Sequence, residues 1–162
     1  MAIFLGYSIG VAPVVGYHFG AKNHDELKNL FKKSLILMAV AGVALTALAE
    51  ALAAPLSKLF VGYDAELYEL TKHAFYVYSL CFVFTGVNIF GSGFFTALSN
   101  GKVSAIISFL RTVVFQVAAV LLLPQITGGV GGVWWSVAVA EVLSFAVTVF
   151  CFLRYRKKYD YV

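Results

Sequence analysis

Long apolar runs separated by short polar segments dominate this sequence. Each run holds at least about 17 residues, the length at which a helix begins to span the hydrocarbon core of a bilayer. Between the third and fourth runs, the turn Ser99-Asn100-Gly101-Lys102 is too short to hold a domain, so the helices beside it are antiparallel neighbours. The pattern predicts an all-α, polytopic transmembrane helix bundle in which residues 1–162 form a single domain. The five predicted spans cover residues 3–19, 34–54, 73–98, 103–123 and 133–153.

The composition indicates the same membrane environment. The chain is 61% hydrophobic and only 12% charged, whereas soluble domains carry about 25% charged residues. A soluble protein of 162 residues has too small a core to bury this apolar surface, so the lipid bilayer is an expected partner. The formal charge is +4, but the basic residues lie at span ends, which argues against a nucleic-acid partner. Cys81 and Cys151 lie inside apolar runs and are expected to be buried and unpaired.

The basic residues near the span ends predict the orientation in the membrane. Nine lie on one side and two, Lys58 and Lys72, on the other, and the more basic side faces the cytoplasm. We expect a multi-pass plasma (inner) membrane protein with its N-terminus outside and its C-terminus in the cytoplasm. An odd number of spans with an outside N-terminus and no cleavable signal peptide predicts at least one preceding span. The nine residues are Lys22, Lys28, Lys32, Lys33, Lys102, Arg154, Arg156, Lys157 and Lys158.

Proline and glycine occur repeatedly in the first span. Pro13 removes a backbone donor near the middle of this span and is expected to kink the helix. Such a break persists in a membrane where neighbouring helices or water satisfy the freed carbonyl. Four glycines at small-xxx-small spacing predict close packing against another helix. They are Gly6, Gly10, Gly16 and Gly20.

Two ionisable residues lie deep inside spans, where such residues are costly and are functional-site candidates. Counting 1.5 Å per residue, Arg111 lies about 13 Å and Glu141 about 18 Å from the cytoplasmic ends of spans four and five. Because these spans are consecutive and antiparallel, we expect the two side chains to meet or to share a polar cavity. For Arg111 the alternative is snorkelling to the headgroups. Glu141 is too deep and too short for that, so it must be protonated, paired or facing water.

Polar residues, most of them uncharged, repeat at helical spacing on three spans. On span three the steps are four, three, four and four, which places the residues on one helix face. Three such faces pointing at one another would line a cavity, but small polar residues are also enriched at ordinary membrane helix contacts. Asn88 and Gln116 are more costly to bury and favour the cavity. The stripes are Cys81, Thr85, Asn88, Ser92 and Thr96 on span three, Ser104, Ser108, Arg111, Thr112 and Gln116 on span four, and Glu141, Ser144 and Thr148 on span five.

Enzyme chemistry finds no support in the sequence. The glycines of residues 128–132 are not followed by the Lys-Ser/Thr of a phosphate-binding loop. His18, His24 and His73 lie at different helix ends without a cysteine or carboxylate set at metal-ligand spacing. We therefore expect a protein that is not an enzyme and holds no resident cofactor or metal.

Four stretches of the sequence form a recognisable set. They are GVAPVVGYHFGAKN (10–23), PLSKLF (55–60), FFTALSNGK (94–102) followed by SFLR (108–111), and GGVWWS (131–136) with Ala140-Glu141 behind it. Together they resemble the C-terminal lobe of a multidrug and toxin extrusion (MATE) transporter, follow the family's order and spacing, and cover nearly the whole chain. The first, with Pro13 and Tyr17, is similar to the family's eighth span and the loop after it.

The resemblance implies an antiporter with twelve spans in two six-helix lobes around a cavity that opens alternately to each side. Entry of Na⁺ or H⁺ as the coupling ion would drive export of a small organic, often cationic, drug. The present spans would be the eighth to twelfth. The missing N-terminal lobe and seventh span, on the same or a split chain, would be partners.

The resemblance also bears on the site residues. Relatives with a cation site in this lobe place carboxylates on spans seven and ten. Here span seven is absent and the match to span ten, residues 76–98, holds no Asp or Glu, so that site is not carried over. Glu141 and Arg111 match family motif positions. The expected transport or cavity residues are Glu141, Arg111, Asn88, Gln116, Thr85, Pro13 and Tyr17.

Two other functions remain open at this point. A lipid-linked sugar flippase of the same broader superfamily would share the fold, but flippase cavities tend to be strongly basic and these spans hold one arginine. A non-transporting membrane subunit that packs against a partner is the alternative outside transport. The sequence names neither the substrate nor the coupling ion.

Overall fold

The computed structural model describes residues 1–162 and is helical almost throughout, with no β-strand. Neighbouring helices are joined by turns of a few residues. In chain order the helices are α1 (Ala2–Gly20), α2 (His24–Val61), α3 (Ala65–Ser79), α4 (Phe82–Ala97), α5 (Gly101–Phe109), a π-helical segment (Leu110–Phe115), α6 (Gln116–Thr127) and α7 (Gly131–Tyr159).

The number of membrane-type helices confirms the predicted all-α bundle. Four helical stretches are long and apolar enough to cross a membrane: α1, α2, the continuous stretch from α5 to α6, and α7. The fifth is the pair α3 and α4, which together pass the same test but are bent by 41° at a short break. Predicted span three is therefore two helices, and the break at Leu80–Cys81 separates them.

Polar residues at the helix ends explain where several helices begin and end. Asn23 and Asn100 accept hydrogen bonds through their side chains from the first turns of α2 and α5, and Asp64 does so for α3. Such caps satisfy backbone donors that have no partner inside the helix. Gly128 ends α6 in the left-handed conformation, with φ of 71°.

Three helix ends lie beyond the ends of the predicted spans, because the helices are longer than the apolar runs. Residues 24–33, which precede predicted span two, are the first turns of α2, and this helix continues through Pro55 to Val61. After predicted span four, α6 continues through Pro124 and ends at Thr127. A proline removes one backbone donor, whereas ending a helix in apolar surroundings leaves several polar groups unpaired, so each helix continues past its proline.

The bundle alternates in direction, as the short turns require. α1 and α4 run the same way, because Ser8 lies beside Ile89 and Gly16 beside Ala97. α4 and α7 also run the same way, because Asn88 lies beside Glu141 and Gly91 beside Thr148. α2 runs against α4, since its Phe31 lies beside Phe94 and its Gly42 beside Phe82. The turn at residues 98–100 and the ends of α1 and α7 thus share one edge of the bundle with the start of α2.

An aromatic cluster fills the bundle at this edge. Phe31 of α2 lies with its ring 5.0 Å from the rings of both Phe94 and Phe152 and 4.7 Å from that of Tyr161. Tyr161 follows the end of α7, yet it is fully buried and its hydroxyl donates a 2.8 Å hydrogen bond to the carbonyl of Phe152. Burial raises the pKa of this hydroxyl, so it remains a donor. The chain end therefore folds back into the core.

Of the four glycines predicted to pack against another helix, Gly16 does so, since a Cβ added there would lie 3.5 Å from the carbonyl oxygen of Ala97. No heavy atom lies within 4 Å of a Cβ added at Gly6, Gly10 or Gly20, so these positions do not mediate helix packing here. At Gly91 of α4, an added Cβ would lie 2.5 Å from Cγ2 of Thr148 on α7. At Gly42 of α2 it would lie 2.6 Å from the carbonyl oxygen of Phe82. At Gly86 of α4 it would lie 2.8 Å from Cε1 of Phe4 on α1. The helix α4 is thus in tight contact with α7, with α2 and with α1.

Candidate functional site

The two ionisable residues inside the spans form a direct ion pair. Arg111 Nε donates to Glu141 Oε1 at 2.9 Å. The Glu141 side chain is 6% exposed and that of Arg111 16%, so both charges are largely removed from the surface of the bundle. Arg111 reaches α7 instead of extending toward the headgroups. The pair joins the stretch between α5 and α6 to the middle of α7.

Asn88 of α4 completes the polar cluster. Its Nδ2 atom donates to Glu141 Oε2 at 2.7 Å and to the Glu141 backbone carbonyl at 3.0 Å. Both carboxylate oxygens therefore have a hydrogen-bond donor, one charged and one neutral. A buried ion pair is tolerated only when its remaining polar atoms are also satisfied, and Asn88 contributes to that satisfaction. The cluster thereby connects three spans at one depth.

The arginine sits in the only π-helical segment, Leu110–Phe115. Thr112 in this segment donates a 2.7 Å hydrogen bond from its hydroxyl to the backbone carbonyl of Ser108. Such back-bonding competes with the regular backbone ladder and often bends a helix. π-Helical turns inside α-helices are found frequently at functional sites. Sequence reasoning missed this segment, and the threonine is the one local feature that bears on it.

The predicted polar stripes pack against each other directly. The Ser92 hydroxyl lies 3.0 Å from that of Ser104 and 2.7 Å from that of Ser108. The Thr96 hydroxyl donates to Ser104 Oγ at 2.7 Å. These contacts join α4 to α5 at the end of the hairpin that the turn closes, so this part of the stripes is a hydrogen-bonded helix interface.

Between α4 and α7, buried polar atoms lack protein partners. They are Asn88 Oδ1, Ser144 Oγ and Thr148 Oγ1, and all three residues are at most 1% exposed. Thr148 packs against Gly91, which leaves little space between the helices. Four surface pockets are lined mainly by apolar residues, and none of the four includes Arg111, Glu141 or Asn88.

The remaining site candidates lie outside the ion-pair cluster. Thr85 is fully buried and donates its hydroxyl to the carbonyl of Cys81 at 2.8 Å. Gln116, the first residue of α6, is half-buried and its side chain makes no hydrogen bond. Pro13 is exposed within an unbroken α1, and Tyr17 is 72% exposed. The structure thus brings Arg111, Glu141 and Asn88 together and leaves the other four apart from them.

The arrangement is suited to holding helices together and, when a charge is removed, to releasing them. No group of three or more His, Cys, Asp or Glu side chains lies close enough to hold a metal ion. Cys81 and Cys151 are free and buried. The site's only charges are one guanidinium and one carboxylate in contact, which together are neutral.

The comparisons with known proteins identify the family. A protein-family model described as MatE matches residues 1–122 of the 162, which includes Asn88 and Arg111 and ends before α7. No curated protein and no solved structure gives a significant match. The MatE family consists of transporters, not enzymes. Since the matched region covers more than half of the chain, this protein belongs to the MATE family.

Proposed function

We propose that the chain forms most of the C-terminal lobe of a cation-coupled exporter in the plasma membrane. In this proposal, Na⁺ or H⁺ entry drives the export of small organic, often cationic, compounds. Family membership and the bundle of membrane-type helices support it. The spans correspond to the eighth to twelfth of the complete transporter, with the C-terminus in the cytoplasm, where the excess of basic residues places it.

The observation that carries the proposal is the buried contact of Glu141 with both Arg111 and Asn88. It fixes α7 to the α5–α6 stretch and to α4, whereas the aromatic cluster joins only α4 and α7 of these elements, at one edge of the bundle. Alternating access moves one repeat largely as a rigid body against the other. We assign the cluster the role of keeping this lobe rigid, or of gating it when Glu141 loses its charge.

A partner lobe follows from the same mechanism. Two repeats must surround a shared site, and this chain supplies most of one. Its partner is an N-terminal lobe with the seventh span, on the same or on a separate chain. The coding sequence upstream of Met1 distinguishes this from a non-transporting subunit, because an in-frame continuation encoding seven more spans supports the exporter.

A flippase for lipid-linked sugars is less well supported. Its substrate carries phosphate groups, for which a cavity needs free positive charge. Arg111 is the basic residue in the middle of the spans, and Glu141 neutralises it. No uncompensated cation is therefore left at this depth for a phosphate.

The test is drug accumulation in cells that express the complete transporter, with sodium and pH varied separately. We expect Glu141→Gln to lower ion-driven export. The matched control is Glu50→Gln, which neutralises a half-buried carboxylate of α2 that forms no ion pair. Proteoliposomes that contain only this chain should show no ion-coupled flux. Full export by Glu141→Gln at normal abundance, or strong flux by the chain alone, would contradict the proposal.

A further inference from the structure

A groove opens on the outer face of α2 where this helix begins. Two lysines, Lys28 and Lys32, stand at the groove, whose volume is about 460 Å³. Its walls are otherwise apolar. Ile36 and Val162 are 54% and 66% exposed there, whereas Phe31 and Tyr161 form its buried floor. The lining residues are Lys28, Phe31, Lys32, Leu35, Ile36, Tyr161 and Val162.

A second furrow continues along the same helix away from this edge. It has a volume of about 420 Å³ and is lined entirely by small or medium apolar side chains, Ala39, Val40, Val43, Ala44 and Ala47. From Lys32 to Ala47 the two depressions extend roughly 22 Å at 1.5 Å per residue. One leaflet of a bilayer's hydrocarbon core is about 15 Å deep, half of the roughly 30 Å total. The groove and the furrow together are thus long enough to hold one acyl chain.

The charge distribution separates the two edges of the bundle. The edge with the start of α2 carries nine basic residues against Asp25, Glu26 and Asp160, a net charge of +6. The opposite edge carries Lys58 and Lys72 against four carboxylates, a net charge of −2. Arg111 and Glu141 cancel, so these values give the overall +4. The groove therefore opens at the strongly positive edge.

We propose that the groove and the furrow together bind one anionic phospholipid from the leaflet at the positive edge. The phosphate contacts the ammonium groups of Lys32 and Lys28, and one acyl chain lies along Ile36, Val40 and Val43. A basic group at the headgroup level above a strip of apolar surface matches both halves of such a lipid. A soluble phosphate compound would use only the lysines, and an apolar partner helix would leave them unpaired.

Asp160 regulates the strength of this site. Its Oδ1 atom lies 3.1 Å from Lys28 Nζ, so the phosphate and Asp160 compete for the same ammonium group. Lys32 has no carboxylate within salt-bridge distance and is fully available to a lipid. Removal of the Asp160 charge should therefore strengthen lipid binding, whereas removal of the Lys32 charge should weaken it.

Native mass spectrometry of the chain in detergent, with equal amounts of phosphatidylglycerol and phosphatidylcholine, tests the site. We expect retained phosphatidylglycerol to be in excess. Lys32→Gln should lower its apparent affinity roughly fivefold, since one lysine at a membrane surface contributes about 1 kcal/mol. Asp160→Asn should raise it. The control Lys58→Gln, at the negative edge, should leave it unchanged, and glycerol phosphate added as a soluble competitor should not displace the lipid.

A substitution that alters no charge tests where the acyl chain lies. Ala44→Phe fills the second furrow at an exposed position, and the furrow is lined by residues of α2 alone, so we expect folding to be preserved. This change should reduce retention of phosphatidylglycerol. Asp160→Asn should still raise the retention when it is combined with Ala44→Phe. Equal retention of both lipids, or equal losses from Lys32→Gln and Lys58→Gln, would overturn the proposal, as would full displacement by glycerol phosphate. These readouts do not involve transport and are independent of the exporter proposal.

Discussion

Neutralising one member of the Arg111–Glu141 pair should cost more stability than neutralising both. Glu141→Gln keeps the shape of the side chain and an acceptor for Asn88, but leaves the guanidinium of Arg111 without its partner. Arg111→Met leaves a carboxylate that is 6% exposed and has only the neutral Asn88 as a donor. Each single change therefore leaves one uncompensated charge in the bundle.

The burial of the pair sets the size of the effect. Removing one partner of a buried ion pair costs about 3–5 kcal/mol, because the remaining charge stays desolvated. Two processes reduce the cost of the remaining charge, so we expect both variants near the lower end of this range. Arg111 lies about 13 Å from the end of its span and is able to snorkel toward the headgroups. Glu141 is able to take up a proton and become neutral. We expect each single change to lower the free energy of unfolding by about 3 kcal/mol.

The double variant shows whether Arg111 and Glu141 stabilise the protein as an ion pair or independently of each other. With Arg111→Met and Glu141→Gln together no lone charge remains, and the glutamine still accepts from Asn88. The loss should then be at least about 2 kcal/mol smaller than the sum of the single losses, within the range of couplings between contacting residues. The assay is reversible unfolding in mixed micelles, followed by tryptophan fluorescence, with Glu50→Gln, which neutralises a half-buried carboxylate outside any ion pair, as the control. Additive losses, or single variants within about 0.5 kcal/mol of wild type, would refute the pair as a stabilising contact.

Three further changes test the packing. Gly91→Ala places a methyl group 2.5 Å from Thr148 Cγ2 and should lower the free energy of unfolding by about 1–3 kcal/mol. A second change, Thr148→Ser, removes the Cγ2 methyl group and should restore part of this loss. The control Gly10→Ala adds a methyl group in open space and should leave the stability unchanged. Ser92→Ala removes contacts to two serines of α5 and should cost about 0.6–1.7 kcal/mol; no loss would mean that these hydroxyls are dispensable. Tyr161→Phe removes a buried hydrogen bond, about 1 kcal/mol. Because burial raises the pKa of Tyr161, its contribution is present below the unfolded pKa near 10 and is lost at higher pH. A pH-independent difference from Tyr161→Phe would contradict this.

The sequence predicted the fold class and the central contact because both follow from the cost of polar groups in lipid. Apolar runs of spanning length have few alternatives to helices. The same cost applies to Arg111 and Glu141, and their depths in neighbouring antiparallel spans matched to within about one helical turn, which restricts where each finds a partner. Asn88 lay on a polar stripe for the same reason, although the sequence did not indicate that Glu141 would be its acceptor.

The details that could not be predicted depend on contacts between distant parts of the chain. The glycines of α1 have the spacing of a packing motif, but packing needs an opposing surface, and the glycines that face one most closely lie on other helices, among them Gly91 and Gly42. Tyr161 follows a run of basic residues and resembles a solvated tail by composition. It is buried because Phe31, on a helix more than a hundred residues away, forms the pocket for its ring. The apolar runs also gave no measure of how far α2 continues past Pro55.

The positions of the contacts distinguish the two edges of the bundle. At the positive edge, aromatic rings from α2, α4 and α7 interlock, and Tyr161 and the Lys28–Asp160 pair fix the chain end to the start of α2. At the opposite edge, α3 meets α4 through a break bent by 41°. The Arg111–Glu141–Asn88 cluster lies between these two regions. Loss of its charge balance would remove the polar contacts of α7 with α4 and with the π-helical segment. The start of α7 would still pack against α6, since a Cβ added at Gly132 would lie 2.7 Å from the carbonyl oxygen of Leu123. A change of charge at Glu141 would therefore act on the contacts in the middle of α7, while the aromatic edge and the contact with α6 stay in place.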